Sequence, residues 1–345
     1  MKYARPLPLA LLVLAAAVTS PASAQTEEEL LQQLEAQKAL NAQLRQRVET
    51  LERQLAGAEP APALRAPETY STRIEPESVE GTTAIEEALV SRGLVLLPPG
   101  SFRATPRITW VHTGADRYRT RSDSYTGSVG GQAGLPLGMM LSAFVPYTHR
   151  DTSIGSNSGF GDLVVELSKK LNNESDRLPS FVAGLSYSHD SGDDPFAPIP
   201  ISFGFRSITG SLSALKRIDP VALYASVSYT HAYSDDVNAD NFLGERRFSG
   251  RIDPGDAWSY RLGASLAATP DISLDASLSG AFVQGTEVHS DAAGRYTLSR
   301  ATVTTLNLGA SFILSRDLSL LLSASAGATD DSPDFIFSMA LPYRF

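Results

Sequence analysis

The sequence predicts an all-β transmembrane barrel of about twelve antiparallel strands, preceded by a short helix, a Pro-rich linker and an N-terminal coiled-coil helix. Three observations carry that expectation. After Gly100, roughly twelve segments of about ten residues alternate apolar and polar side chains, as strands crossing an outer membrane do. The connections between them alternate short and long, and aromatic residues recur near the long-loop end.

In chain order, residues 1–24 read as a secretory signal peptide. Lys2 and Arg5 precede the apolar run LPLALLVLAAAV, and SPASA supplies a small-residue cleavage site after Ala24. The run is about a dozen residues and contains Pro8, whereas a spanning helix needs about 20. No later stretch is long and apolar enough for a spanning helix, which leaves an exported chain either soluble or a barrel. With 0 cysteines, disulfides, thiolate-held zinc and thiol catalysis are excluded. Removing Lys2 and Arg5 takes the formal charge from −9 to −11, a balance unsuited to nucleic acid. No cofactor is expected.

Residues 25–56 carry a heptad seam. Leu30, Leu34, Gln37, Asn41, Leu44, Val48, Leu51 and Leu55 recur at alternating spacings of four and three. Asn41 falls at an a position, where a buried amide sets register and partner number. The segment is expected to self-associate. Residues 57–81, rich in Pro, Ala and Glu, form a solvated linker.

Residues 82–100 hold a short helix and its exit. Thr83 and Glu86 make a capping box, Ile85 and Leu89 share a face, and Gly93 follows Arg92 as a stop. Leu96, Pro98 and Pro99 then lead the chain toward the first strand; the prolines forbid helix. Ile85, Glu86, Leu89, Arg92, Leu96, Pro98 and Pro99 are the candidate plug of the lumen. A helix docked below the barrel or lying at the membrane interface stays open beside that reading.

Residues 101–345 supply the barrel. In ISLDASLSGAFV, Ile272, Leu274, Ala276, Leu278 and Phe282 share one face, and Ser273, Asp275, Ser277 and Ser279 share the other. Trp110, Tyr147, Tyr187 and Tyr229 each stand two residues before a histidine and form an aromatic girdle at the outer interface. The four histidines diverge outward, too far apart to hold a metal together. Small hydroxyl side chains dominate the other face, with charges at Arg103, Arg107, Arg150, Asp162, Glu166, Arg261 and Asp275, which points to an open, polar lumen. The last strand alternates aromatic residues down to Tyr343 and Phe345, an ending that resembles the C-terminal signal read by bacterial barrel-insertion machinery.

The order of parts, with AIEEALVSRGLVLLPPGSF before a barrel that ends in YRF, resembles the Fap-type functional-amyloid secretion channels of the bacterial outer membrane. The resemblance implies a homotrimer joined by a periplasmic coiled coil, with each barrel plugged by its helix and exporting unfolded amyloid subunits. The barrel alone is also similar to outer-membrane channels associated with degradation of aromatic compounds, which implies passive uptake of small solutes, aromatic ones included, as the alternative. An enzyme is not expected: Ser188 and His189 point to opposite faces of one strand.

Overall fold

Side chains of opposite character alternate along the chain beyond Gly100, and a strand is the element that sorts them onto two faces. The computed structural model describes residues 83–115, 120–242 and 245–345. The signal-peptide, coiled-coil and linker expectations lie outside the described residues.

The helix α1 spans Ala84–Ser91. Strands β1 (Phe102–Thr113), β2 (Ser122–Leu135), β3 (Met139–Thr152), β4 (Gly155–Phe160), β5 (Val164–Lys170) and β6 (Ser180–Ser188) follow. Next come β7 (Ser207–Ile218), β8 (Val221–Ala232), β9 (Asp235–Phe242), β10 (Glu245–Asp253), β11 (Ala257–Thr269) and β12 (Ile272–Val283). The chain ends with β13 (Glu287–Ser290), β14 (Gly294–Thr297), β15 (Ala301–Ile313), β16 (Ser319–Gly327), β17 (Phe335–Ala340) and β18 (Tyr343–Arg344).

Fourteen of these strands form one antiparallel sheet. Both β4 and β5 pair with β3, so they are two halves of one stave interrupted at Gly161–Leu163. Likewise β17 and β18, separated by Leu341 and Pro342, both pair with β1 and close the ring, with Trp110 opposite Phe337 and Ala104 opposite Tyr343. Twelve staves result, in agreement with the sequence expectation. Closure leaves no strand edge, which hydrocarbon would penalise because it cannot hydrogen-bond to free N–H and C=O groups.

The two faces separate cleanly. Leu274, Leu278, Leu306, Leu308 and Phe337 point outward and are exposed, whereas Ser265, Ser273 and Ser277 point inward and are buried. A lumen full of serines and glycines leaves volume that a Val- or Leu-lined interior would fill.

Between β2 and β3 the tight connection has Leu137 at φ 63 and Gly138 at φ 66. Successive positive φ values match the right-handed twist of the flanking strands; glycine adopts them freely, and leucine does so at a cost of about 1 kcal/mol or more.

On the long-loop side, the connections after β8 and β12 contain structure that the sequence reading treated as plain loops. β9, β10, β13 and β14 form a second, four-stranded sheet. Its Val237, Phe248, Ile252 and Val288 pack with Phe205 from the connection between β6 and β7 into one apolar cluster. Apolar residues spaced among charges, as in ERRFSGRID, gave a weak signal for strands this short. Asp162, read as a lumen charge, instead anchors a loop: its carboxylate accepts N–H bonds from Gly192 at 3.0 Å, Phe203 at 2.9 Å and Gly204 at 3.3 Å.

The sorting of faces yields a prediction. Leu278→Arg places a guanidinium in hydrocarbon and is expected to destabilise the barrel by about 2–4 kcal/mol, whereas Ser325→Arg on the lumen side is expected to cost little. Denaturant unfolding of the two variants in detergent, followed by heat-shifted gel migration, measures the difference.

Candidate functional site

α1 begins where its capping box dictates. Thr83 Oγ1 accepts from the Glu86 N–H at 3.4 Å, and Glu86 Oε2 accepts from the Thr83 N–H at 3.4 Å. At the other end Gly93, at φ 70, takes the left-handed turn that ends the helix. The chain then folds back, and the Leu94 N–H bonds to the Leu89 carbonyl at 3.0 Å.

The partners of this segment lie all around the ring. Leu89 and Leu94 pack against Leu215 of β7 and Ala222 and Tyr224 of β8. On another side Val90 and Leu97 enclose Met140 of β3. The Ala84 N–H donates to the Pro270 carbonyl at 2.9 Å, and Ser273 Oγ donates to the Ala84 carbonyl at 3.2 Å. Since these are lumen-facing positions near the short turns, α1 and residues 94–97 occupy the lumen at its short-turn end. Ala84, Glu87, Ala88, Leu89 and Val90 are all buried, and Ile85, Glu86 and Ser91 are partly buried, so no residue of the helix is fully exposed.

Three ionic contacts fasten it. Glu87 meets Arg103 of β1 at 3.1 Å and Arg344 of β18 at 3.8 Å. Side chains of the first pair are only 2% and 5% exposed, and neither Arg103 Nη1 nor Glu87 Oε1 makes a hydrogen bond, so the two meet as buried opposite charges without hydrogen-bond alignment. At the far end of the helix Arg92 meets Asp275 of β12 at 2.7 Å. Asp275 is already held by the Ser265 hydroxyl at 2.7 Å and the Tyr224 hydroxyl at 2.9 Å. Arg92 also donates to the Ala88 carbonyl at 3.2 Å and lies 5.6 Å from the centre of the Tyr224 ring. Desolvation offsets much of the attraction in such pairs, but loss of one partner strands the other charge, at a cost of about 3–5 kcal/mol while the site stays dry.

Glycine makes the fit possible at β2. A Cβ at Gly134 would overlap the Pro98 carbonyl and stand 2.7 Å from the Leu97 carbonyl oxygen. In its place, Gly134 and the chain at Gly100 and Ser101 exchange backbone hydrogen bonds of 3.0 and 2.9 Å.

Above the plug lies a cavity of about 380 Å³, lined in part by Arg92, Arg107, Arg261, Asp275, Asn307 and Leu321. A second, of about 310 Å³, shares Arg261, Ser279 and Thr305 with it.

The structure thus brings Leu89, Arg92, Arg103 and Asp275 together, with Ile85 and Leu96 partly buried at the edges of the apolar clusters. Glu86 serves the cap, and Pro98 and Pro99 are exposed. Arg107, Arg150, Glu166 and Arg261 stand on lumen-facing positions, but Arg150 donates to the Pro200 carbonyl at 2.7 Å near the outer loops, and Glu166 accepts from Ser168 at 2.8 Å. Glu87, Tyr224, Gly134 and Arg344 escaped the sequence reading. The signal for Glu87 was present in two inward arginines at the turn end that lacked a counter-ion on the wall.

At the other end, Trp110, Tyr147, Tyr187 and Tyr229 lie on outward positions, and three of the following histidines have carboxylate partners. His112 meets Asp123 at 2.7 Å, His231 meets Asp256 at 2.8 Å, and His189 meets Asp190 at 3.2 Å. The Tyr229 hydroxyl and then His231 hold the Asp256 carboxyl below its usual range.

These features define an outer-membrane β-barrel whose lumen is occupied at the short-turn end by α1. Residues 101–345 match the family model described as "Putative MetA-pathway of phenol degradation", and the chain belongs to that family. Among solved structures it is similar to an outer membrane channel from Pseudomonas putida F1, with 15% identity and a TM-score of 0.62 over 73% of this chain and 97% of that one. It also matches the translocator domain of autotransporter NalP from Neisseria meningitidis, with 12% identity and a TM-score of 0.47 over 75% of this chain and 92% of that one. The toluene transporter TodX of Pseudomonas putida matches at 12% identity and a TM-score of 0.42 over 76% of this chain and 94% of that one.

Because the sequence has 0 cysteines, a single Leu89→Cys substitution reports on the plug. Its reaction with a soluble maleimide is expected to be slow. Adding Glu87→Ala and Arg92→Ala is expected to speed it at least ~10-fold, since leaving the lumen then lets water reach Arg103 and Asp275. Gly134→Leu, which touches neither ion pair, is expected to act in the same direction by displacing residues 97–98.

Proposed function

We propose that this chain is a passive outer-membrane channel for small solutes, aromatic ones included, closed at rest by the segment from Ala84 to Leu97. The cavity between plug and wall carries the reading. At about 380 Å³ it suits a small molecule, and it offers both polar groups and an apolar strip. The family's description, which names phenol degradation, agrees with an aromatic solute. α1 acts as the gate: side-chain contacts and one backbone hydrogen bond, from the Ala84 N–H to the Pro270 carbonyl, tie it to the wall, while the wall's own ladder closes without it.

Purified full-length protein in liposomes is expected to admit benzyl alcohol faster than empty liposomes do, and removal of residues 84–93 is expected to raise single-channel conductance in planar bilayers. Equal uptake with and without protein would sink the channel reading. Unchanged conductance on removing the helix would make it a structural filler.

A second reading, export of unfolded amyloid subunits by a trimer, is favoured by the plug's position at the short-turn end, where an exported chain would arrive. That reading joins the helix to the expected periplasmic coiled coil and to Tyr343 and Phe345 as the signal for the insertion machinery. A deletion strain that still makes Congo-red-binding fibres would dismiss it.

A further inference from the structure

We propose that the cavity above the plug is a binding site for a small organic anion with an apolar body, its acid group held between Arg107 and Arg261. This inference rests on the small-solute reading and names the substrate class.

It starts from the partners of the lumen-side arginines; the inward carboxylate Glu166 accepts from Ser168 and is not part of the cavity lining. Arg92 is neutralised by Asp275, Arg103 and Arg344 share Glu87, and Arg150 is capped by the Pro200 carbonyl. Arg107 and Arg261 remain. Neither has a carboxylate in ion-pair reach or a hydrogen-bonded partner among the described residues, and both line the same cavity. Arg261 also lines the adjoining one, at the shared boundary. Two like charges facing one cavity repel each other, and an anion between them relieves that repulsion. The guanidinium fork matches a carboxylate with two parallel hydrogen bonds.

The wall beside Arg107 fixes the rest of the ligand. Arg107 is paired across the sheet with Ala340, and Ala340 with Leu321. Leu321 and Ala340 form a short apolar strip of the cavity lining next to the free guanidinium, and Ile336 lines the cavity further along β17, beyond Ser338. An inorganic anion would satisfy the charges and leave that strip wet. An uncharged aromatic solute would cover the strip and leave the charges unpaired. A small acid with an apolar body does both.

Calorimetric titration of the full-length protein in detergent tests this, with benzoate, benzyl alcohol and inorganic phosphate as probes. Benzoate is expected to bind at least ~10-fold more tightly than either of the others, and Arg107→Ser or Arg261→Ser is expected to weaken it at least ~10-fold. Arg261→Lys, which keeps the charge and loses the fork, should fall between. Heat-shifted gel migration confirms that each variant is a folded barrel. Benzyl alcohol or phosphate binding as well as benzoate, no benzoate binding, or benzoate binding unchanged in both serine variants would overturn the proposal. These outcomes are separate from the liposome result: failed benzyl alcohol uptake removes the channel reading without touching the calorimetry.

Discussion

Every backbone N–H and C=O within hydrocarbon must find a partner in the protein, and the rest of this structure depends on that constraint. It forces the ladder to close, which β17 and β18 do by pairing with β1. Closure makes the strands' two-residue period a division between lipid and lumen, so Leu278 and its neighbour Leu306 face out while Ser277 and Asn307 face in. Because the ladder supplies the wall's cohesion, the interior is released from the task of making a core. Its side chains can be small and polar, and that vacancy is what the helix enters.

Wall and plug are therefore held by different physics. The wall is held by backbone hydrogen bonds that lipid cannot replace. The plug is held by apolar contacts such as Leu89 with Tyr224, worth about 1.5–3 kcal/mol per fully buried large side chain, and by the Glu87 and Arg92 ion pairs. Water can replace the second set, since the wall's members of those pairs, Arg103 and Asp275, become solvated when the helix departs. A segment with a wettable seat can leave a barrel that stays folded, which is the physical requirement of a gate.

The sequence made the wall legible because strand alternation is a local property: ISLDASLSGAFV declares both faces without reference to any neighbour. Thr83, Glu86 and Gly93 likewise marked both ends of α1 by local chemistry. The surroundings of the helix were less legible. Ile85 and Leu89 were read as one apolar face, which presumes that the opposite face is wet; in a lumen both are enclosed, and the buried Glu87 has meaning only through Arg103 and Arg344, far away in sequence. Gly134 shows the same limit. Its neighbours describe an ordinary strand, and only the passage of Leu97 and Pro98 across it explains why a side chain is absent there.

The uneven distribution of charge compensation ties the plug to the solute. At the helix, each inward charge has a counter-ion, because burial by the plug would otherwise leave it stranded at a cost of several kcal/mol. Above the helix a cavity remains, and Arg107 and Arg261 line it with no ion-pair partner among the described residues. Compensation thus ends where the plug ends. A passing anion would meet its first unneutralised cations directly above Arg92, whose own charge is spent on Asp275 and on keeping the helix seated. The same wall that fastens the helix thereby leaves two guanidiniums, Arg107 and Arg261, without an ion-pair partner among the described residues.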